Sequence, residues 1–277
     1  MKLLTFISLI VVPLSSLTAK EKLTPNSSAT KIFNGKDLTG WSVKCQDAEK
    51  EKAASYWSVV DGAIQLDTKG DRKHDYVWLR YDEELADFEL TLKVRTTRHT
   101  KGNSGIQIRS RYYTDKKGNW LNGPQIDIHP PDPFRIGLIY DETTGVNRWI
   151  QPSKKNWNIA WTDADHQWLW RILNEKGEYL TQSNIKKQII TKGLTKQERD
   201  QGWNTIKIRA VGHKIQTWIN GLPVSDYDGT KDLTTEAHQH FKVGTTGKVF
   251  LQLHSGDDLA MQFKDINLLK IQKMNLK

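Results

Sequence analysis

The feature that most constrains this chain is an apolar residue at every second position, repeated in short runs. Phe88, Leu90, Leu92 and Val94 alternate with Asp87, Glu89, Thr91, Lys93 and Arg95. Ile206, Ile208 and Ala210 alternate with Lys207 and Arg209, and Ile215, Thr217 and Ile219 with Gln216, Trp218 and Asn220. Leu251 and Leu253 alternate with Phe250, Gln252 and His254, and Met261 and Phe263 lead on toward Ile266, Leu268 and Leu269. Successive side chains of a strand point to opposite faces, so each run carries one apolar and one polar face. Turn residues separate the runs, as at Asp61-Gly62, Lys101-Gly102 and Ser255-Gly256-Asp257, and Asn220-Gly221 is a two-residue hairpin signal. No long segment has a helical apolar face; the capping-box pattern Thr195-Lys196-Gln197-Glu198 marks at most one short helix. Many short strands of this kind bury their apolar faces by pairing. The expected fold is therefore all-β, two antiparallel sheets packed as a sandwich.

Organisation along the chain follows from composition. Residues 1–19 read as a secretory signal: Lys2, an apolar stretch from Leu3 to Leu14, and Leu17-Thr18-Ala19 at the cut. The stretch is shorter than the ~20 apolar residues that span a bilayer, so no membrane span is expected once the signal is removed. Residues 20–30 are polar and read as a linker, and 31–272 as one β-sandwich domain, a length a single all-β domain absorbs. Residues 151–202 are loop-rich and read as an insertion over one sheet face, a candidate lid. Cys45 is the lone cysteine and leaves no intrachain disulfide. The net charge of +9 is spread through loops and strand exteriors without a basic stripe, which argues against nucleic acid as a partner.

Candidate site residues lie on two strands. In Asn103-Ser104-Gly105-Ile106-Gln107-Ile108-Arg109, strict alternation puts Ile106 and Ile108 on one face, with Gln107, Arg109 and Arg111 on the other. In Gln125-Ile126-Asp127-Ile128-His129 the same parity gathers Gln125, Asp127 and His129. Amides, a guanidinium, a carboxylate and an imidazole on one surface make the inventory of a polar-ligand site. Asp127 reads either as a general base with Arg109 to stabilise an oxyanion, or as half of a structural Asp–Arg pair. His129 reads as a ligand contact or a strand-end polar residue. Tyr140-Asp141-Glu142 ends another strand, with Arg148 soon after; Glu142 is a second acid/base candidate, and His254, on the polar parity of its strand, is a third.

A retaining glycosidase needs two carboxyl groups ~5–5.5 Å apart. Gln125-Ile126-Asp127 resembles the catalytic strand of laminarinase-like glucanases, but Gln125 stands in place of the nucleophile and Pro130 in place of the second glutamate. That departure argues against ordinary double displacement at this strand. No cofactor is assigned. Asp127, Asp141, Glu142 and His254 include the oxygen and nitrogen donors a divalent metal ion would take, and His238-x-His240 reads as a polar loop without a third ligand. Phosphate-cradling loops, dinucleotide fingerprints and nucleophile elbows are missing from the sequence. Trp149, Trp157, Trp161, Trp168 and Trp170 crowd one region. Aromatic faces pack on the C–H faces of sugars, so Trp157 and Trp161 join the substrate-binding candidates beside Asn103, Gln107, Gln125, His129, Tyr140 and Arg148.

Taken in order, several segments resemble the 3-keto-disaccharide hydrolase domain family. They are Ile32–Trp41, Trp57–Gly62, Asp87–Leu90, Gly102–Ile106, Gly123–Asp127, Tyr140–Glu142, Trp218–Gly221 and Leu251–Gly256. The resemblance implies a concanavalin A-like jelly-roll sandwich, export from a bacterial cell to the periplasm or beyond, and an oligosaccharide or 3-keto-glycoside substrate. It also implies cleavage by base-assisted elimination at C2 followed by hydration. On that reading Asp127 is the base, Arg109 stabilises the enolate, and His254 or Glu142 protonates the leaving group. The alternatives left open are a non-catalytic, lectin-like carbohydrate-binding domain and a structural surface domain.

Overall fold

A computed structural model describes residues 28–97, 102–115, 118–128, 137–150 and 203–272, with the backbone of the short strands Thr24–Pro25, Ile159–Ala164 and Gln167–Ile172. The expected signal, His129, Trp157 and the Thr195–Glu198 capping box lie outside the described residues, as does most of the insertion. Trp161 is described only as a backbone position, paired in register with Trp170.

Two antiparallel sheets carry the molecule. In the first, the path runs β17 (Leu222–Asp228), β16 (Lys214–Ile219), β15 (Asn204–Val211), β7 (Phe88–Thr96), β19 (Ala260–Gln272), β5 (Ala63–Asp67) and β4 (Trp57–Val60). The short strands β1 (Thr24–Pro25) and β2 (Thr30–Lys31) add to β19, so part of the expected linker is sheet edge. In the second, the path runs β12 (Arg148–Ile150), β11 (Ile139–Asp141), β10 (Pro124–Ile128), β8 (Ser104–Asp115), β18 (Lys248–Leu253), β6 (Val77–Tyr81) and β3 (Trp41–Cys45), with β9 (Gly118–Asn122) paired to the far end of β8. The pair β13 (Ile159–Ala164) and β14 (Gln167–Ile172) forms a separate hairpin.

The apolar parity read from the sequence builds the core. Leu90, Leu92, Ile206, Ile208, Ile215 and Phe263 of the first sheet meet Leu79, Ile106, Ile126, Ile139, Leu251 and Leu253 of the second in one buried cluster. This is the expected two-sheet sandwich. The Asn220-Gly221 and Asp61-Gly62 turns have positive φ at both residues, 48° and 77° at the first and 51° and 73° at the second. Those are the mirror-image turns that match strand twist. A short helix, α1 (Glu236–Phe241), replaces the polar loop expected at His238-x-His240. His238 is buried there, its Nε2 2.9 Å from Asp141 Oδ2 and its Nδ1 2.7 Å from the Thr235 hydroxyl. No helix among the described residues is long and apolar enough to cross a membrane.

The second sheet has an irregularity that decides the site. Between its pairings Phe250↔Gln107 and Lys248↔Ser110 the register of β8 shifts by one residue, and Arg109 there has φ 48°. This is a β-bulge, and it inverts the parity of everything after it. Gly247 lies against the bulge so closely that a Cβ on it would fall 2.4 Å from the Arg109 carbonyl carbon. Beyond the bulge the β8–β9 hairpin turns over the outward face of its own sheet. Its Tyr112 hydroxyl and Asn119 amide donate to the Cys45 carbonyl at the end of β3. Leu121, Tyr112 and Trp120 thereby pack with Trp78 and Phe250 in a second apolar cluster.

Candidate functional site

The outward face of the second sheet can be read from its registers. Gln125 pairs with Gln107 and with Tyr140, and Tyr140 with Trp149; Asp127 pairs with Gly105, and Gln252 with Trp78. Cross-strand partners share a face. Tyr140, Gln125, Asp127, Gln107, Gln252 and Trp78 therefore form one surface, on the side away from the sandwich core. Gln107, Asp127, Gln252 and Trp78 are each at most 1% exposed, and Gln125 is 3% exposed. Gly105 gives Gln125 its room: a Cβ at Gly105 would lie 2.4 Å from the Gln125 Cδ.

Beside this buried floor is an accessible proton-handling cluster. His254 Nδ1 lies 3.0 Å from the Ser255 carbonyl oxygen and 3.2 Å from Asp257 Oδ2. A carbonyl only accepts, so Nδ1 carries the hydrogen, and in the neutral ring Nε2 is left to accept from the Tyr76 hydroxyl at 3.1 Å. Asp257 is fixed in turn by the Asn103 backbone N–H at 2.8 Å. Burial pushes the Tyr76 phenol up to about 12, and the charges of Glu142, Asp75 and Asp257 add to the effect. Glu142 is thus an electrostatic neighbour of the Tyr76–His254 pair. Trp120 links the two, its ring 5.1 Å from that of Tyr76 and its indole N–H donating to the Glu142 carbonyl at 2.9 Å. Desolvation raises the Glu142 carboxyl to about 7, helped by the negative charge of Asp141. A half-buried carboxyl held near neutrality can take or give a proton at physiological pH.

Four sequence-derived expectations are corrected. Arg109 does not share the Asp127 face: the bulge turns it off the parity of Gln107. Its guanidinium donates to the carbonyls of Ala86, Gly212 and Gly244 and to Asp87 Oδ1 at 2.9 Å, so its partner is Asp87, not Asp127. Desolvation lowers the Arg109 pKa to about 10, against the pull of Asp87. Arg111 follows it away, to Glu84 and the Lys242 carbonyl. Arg148 pairs in register with Asp141, on the parity opposite to Tyr140, and binds Asp232 at 2.8 Å, so it faces away from the floor. Asp141, one of the donors considered for a divalent ion, is committed to His238 on that opposite side. Among the described residues no three His, Cys, Asp or Glu side chains are grouped to hold a metal.

The structure brings together Asn103, Gln107, Gln125, Asp127, Tyr140, Glu142 and His254 of the expected set. It adds Tyr76, Trp78, Trp120, Gln252 and Asp257. Tyr76 and Trp78 had a signal, since both lie on the parity opposite to the core residues Val77 and Leu79. Asp257 had none beyond a turn.

Comparison with known proteins identifies the family of the chain. Residues 28–269 match the family model described as a 3-keto-alpha-glucoside-1,2-lyase-like domain. No curated protein matches the chain. Similar solved structures include a provisionally assigned glycosyl hydrolase from Parabacteroides distasonis ATCC 8503, with 17% identity, 88% of this chain and 94% of that one covered, and a TM-score of 0.47. Another is the carbohydrate binding module CBM66 from Bacillus subtilis, with 12% identity, coverage of 83% and 96%, and a TM-score of 0.45. A third is a galectin-like protein of unknown function from Bacillus subtilis, with 11% identity, coverage of 86% and 92%, and a TM-score of 0.43.

Proposed function

The chain belongs to the 3-keto-alpha-glucoside-1,2-lyase-like domain family, and from that membership we propose that it cleaves glycosides already oxidised at C3 by elimination across C1 and C2. The observation that carries this reading is Glu142, a carboxyl held at about 7 beside the Tyr76–His254 pair. A C3 carbonyl acidifies the C2–H bond, so the enzyme needs a base, a donor for the enolate oxygen and a proton for the leaving group. Asp127 was expected as the base, but it is 1% exposed, and Glu142 is the more accessible carboxyl. In the proposed sequence the Glu142 carboxylate takes the C2 proton, and the C2–H electrons move toward C3 as the carbonyl pair settles on O3. The half-buried Tyr140 hydroxyl, on the same face as Gln125, serves the O3 enolate in place of the displaced Arg109. The enolate then collapses to a C1=C2 double bond, the C1–O bond breaks, and the departing oxygen takes a proton from the Tyr76–His254 pair. Addition of water across C1=C2 completes net hydrolysis.

The test is sugar release from 3-keto-trehalose by the purified protein, followed by mass spectrometry. Glu142→Gln, which keeps the shape and removes the proton transfer, is expected to lower release by about 100-fold or more. Full activity in Glu142→Gln, with loss confined to Asp127→Asn, would return the base role to Asp127. Saturable binding with no release at any pH would make the domain a lectin. We also place the protein outside the cytoplasm, on the strength of residues 1–19; an exported form beginning at Lys20 is the expected observation.

A further inference from the structure

Among the buried titratable groups that the proposed reaction does not use, His74 has contacts that fix its chemistry. It lies in the loop before β6, is 5% exposed, and sets each ring nitrogen against a backbone carbonyl. Nδ1 is 3.0 Å from the Asp75 oxygen, and Nε2 is 2.9 Å from the Asp257 oxygen. A carbonyl only accepts, so both contacts are hydrogen bonds only when both nitrogens carry hydrogen. The neutral ring has a single N–H. It would hold a bare lone pair against the other oxygen, and that contact would open. His254 is the opposite case, since its Nε2 faces a hydroxyl that can donate.

The groups that face the ring suit a cation. Tyr56, from the turn Ala53–Tyr56, packs its ring 5.4 Å from the imidazole and donates its hydroxyl to Asp71 at 2.7 Å. Asp75 and Asp257, which supply the two carbonyls, are themselves half-buried acids. Of the bases nearby, Arg72 and Lys73 are exposed, and Lys52 is spent on Asp71 and the Lys73 carbonyl. In the facing turn, His254 directs its Nδ1 hydrogen to Ser255 and Asp257, and Asp258 accepts from the Thr68 hydroxyl at 2.9 Å. Two oriented carbonyl dipoles with acids behind them offset the cost of burying one positive charge.

What the ring holds is the turn that carries the proton donor. The His74 carbonyl accepts from the Gly256 N–H at 3.1 Å and from the Ser255 hydroxyl at 3.2 Å, so backbone and side chain grip the turn together. Asp257 in turn lies 3.2 Å from His254 Nδ1. We infer that His74 is a buried imidazolium and the positioning residue of the Tyr76–His254 pair: doubly protonated, it clamps the Asp257 carbonyl, and loss of one proton releases the turn. The charge stands on geometry alone, whereas the positioning role in catalysis rests on the proposed function.

The experiment is proton–nitrogen correlation of the imidazole rings in nitrogen-15-labelled protein, with each ring assigned through its bonds to the backbone. At pH 7.5 an ordinary imidazole is about one-tenth charged. His74 is expected to show two protonated nitrogens there, and His254 a hydrogen on Nδ1 alone. On raising the pH, His74 is expected to lose one proton and the His254 signals to shift at the same midpoint. His74→Gln, with one donor nitrogen in place of two, is expected to disturb the His254 tautomer and to lower kcat on 3-keto-trehalose by about tenfold or more. A neutral His74 at that first pH would overturn the imidazolium. His254 signals indifferent to the His74 transition would overturn the positioning role, and the unaltered protein decides this even if His74→Gln does not fold. Both spectra are read without substrate, so absence of sugar release would sink the catalytic reading and not the clamp.

Discussion

Both sheets turn one face away from the shared core, and the two faces are built on opposite principles. On the first sheet the outward residues are charged and paired in pieces: Lys207 with Glu89 at 3.6 Å, and Lys93 with Asp265 at 3.2 Å. Cations also lie over indole rings, Lys207 above Trp218, and Arg95 and Lys264 on Trp203 at 4.5 Å and 4.3 Å. On the second sheet the middle of the outward face is neutral amides, aromatics and carboxyl groups, most of them buried, and the cations Lys44, Arg80 and Lys248 lie toward one side of it. A solvated face tolerates any polar residue, whereas a sheltered one must account for each polar atom. The first face therefore requires only solvent for its residues; the second gathers buried polar atoms with no hydrogen-bond partner among the described residues.

The strongest way to break this contrast is at the bulge. Arg109 has a fully buried side chain whose donors are spent on three carbonyls and Asp87. Arg109→Ala would leave Asp87 without its main cation and open a cavity, and is expected to cost about 3–5 kcal/mol of stability, read by urea denaturation. Arg109→Lys is expected to recover little, because an ammonium cannot serve four acceptors in a fork. Loss of activity with unchanged stability would instead put Arg109 back among the reacting groups, as strand parity first suggested.

A second prediction tests the second face by pH. The folded Glu142 pKa is about 7 and that of a free glutamate about 4.5, so the folded protein binds more protons between those values. Stability therefore falls as pH rises through that window. The penalty is absent below about 4.5 and complete above about 7, with a size on the order of 3 kcal/mol. Glu142→Gln is expected to flatten this part of the profile and to be more stable than the parent at pH 8. An unchanged slope in Glu142→Gln would show that the carboxyl is not held near neutrality.

These two residues also mark where sequence stops being legible. Alternation was read correctly wherever a strand kept strict period two: Ile126 in and Gln125 and Asp127 out, Leu251 in and Gln252 and His254 out. It failed at Arg109 because one residue with φ 48° shifts every later side chain to the other face, and arginine carries no turn signature. The cause lies 138 residues away in sequence, in the glycine at 247 that makes room for the bulge. Glu142 could be named from sequence as an acid, but its raised pKa could not, since that depends on the β8–β9 hairpin folding over the sheet. Asp141 and His238 were likewise visible as titratable groups, while their pairing needed the short helix that brings them together.

The smallest expected effect lies on the first sheet and completes the contrast. Lys207 touches Glu89 and covers the Trp218 ring, and it is 37% exposed while Glu89 is 24% exposed. Exposed ion pairs contribute about 0.2–1 kcal/mol and exposed cation–π contacts about 0.5–1 kcal/mol. Lys207→Ala is therefore expected to cost about 1 kcal/mol, and Lys207→Met less, because its stem still covers the indole. High salt should shrink the Glu89 coupling measured in a double-mutant cycle and leave the Trp218 part in place. Sugar binding should not change in any of these variants. A Lys207 variant that lost binding, or cost as much as Arg109→Ala, would show that the outward face of the first sheet is also a working surface.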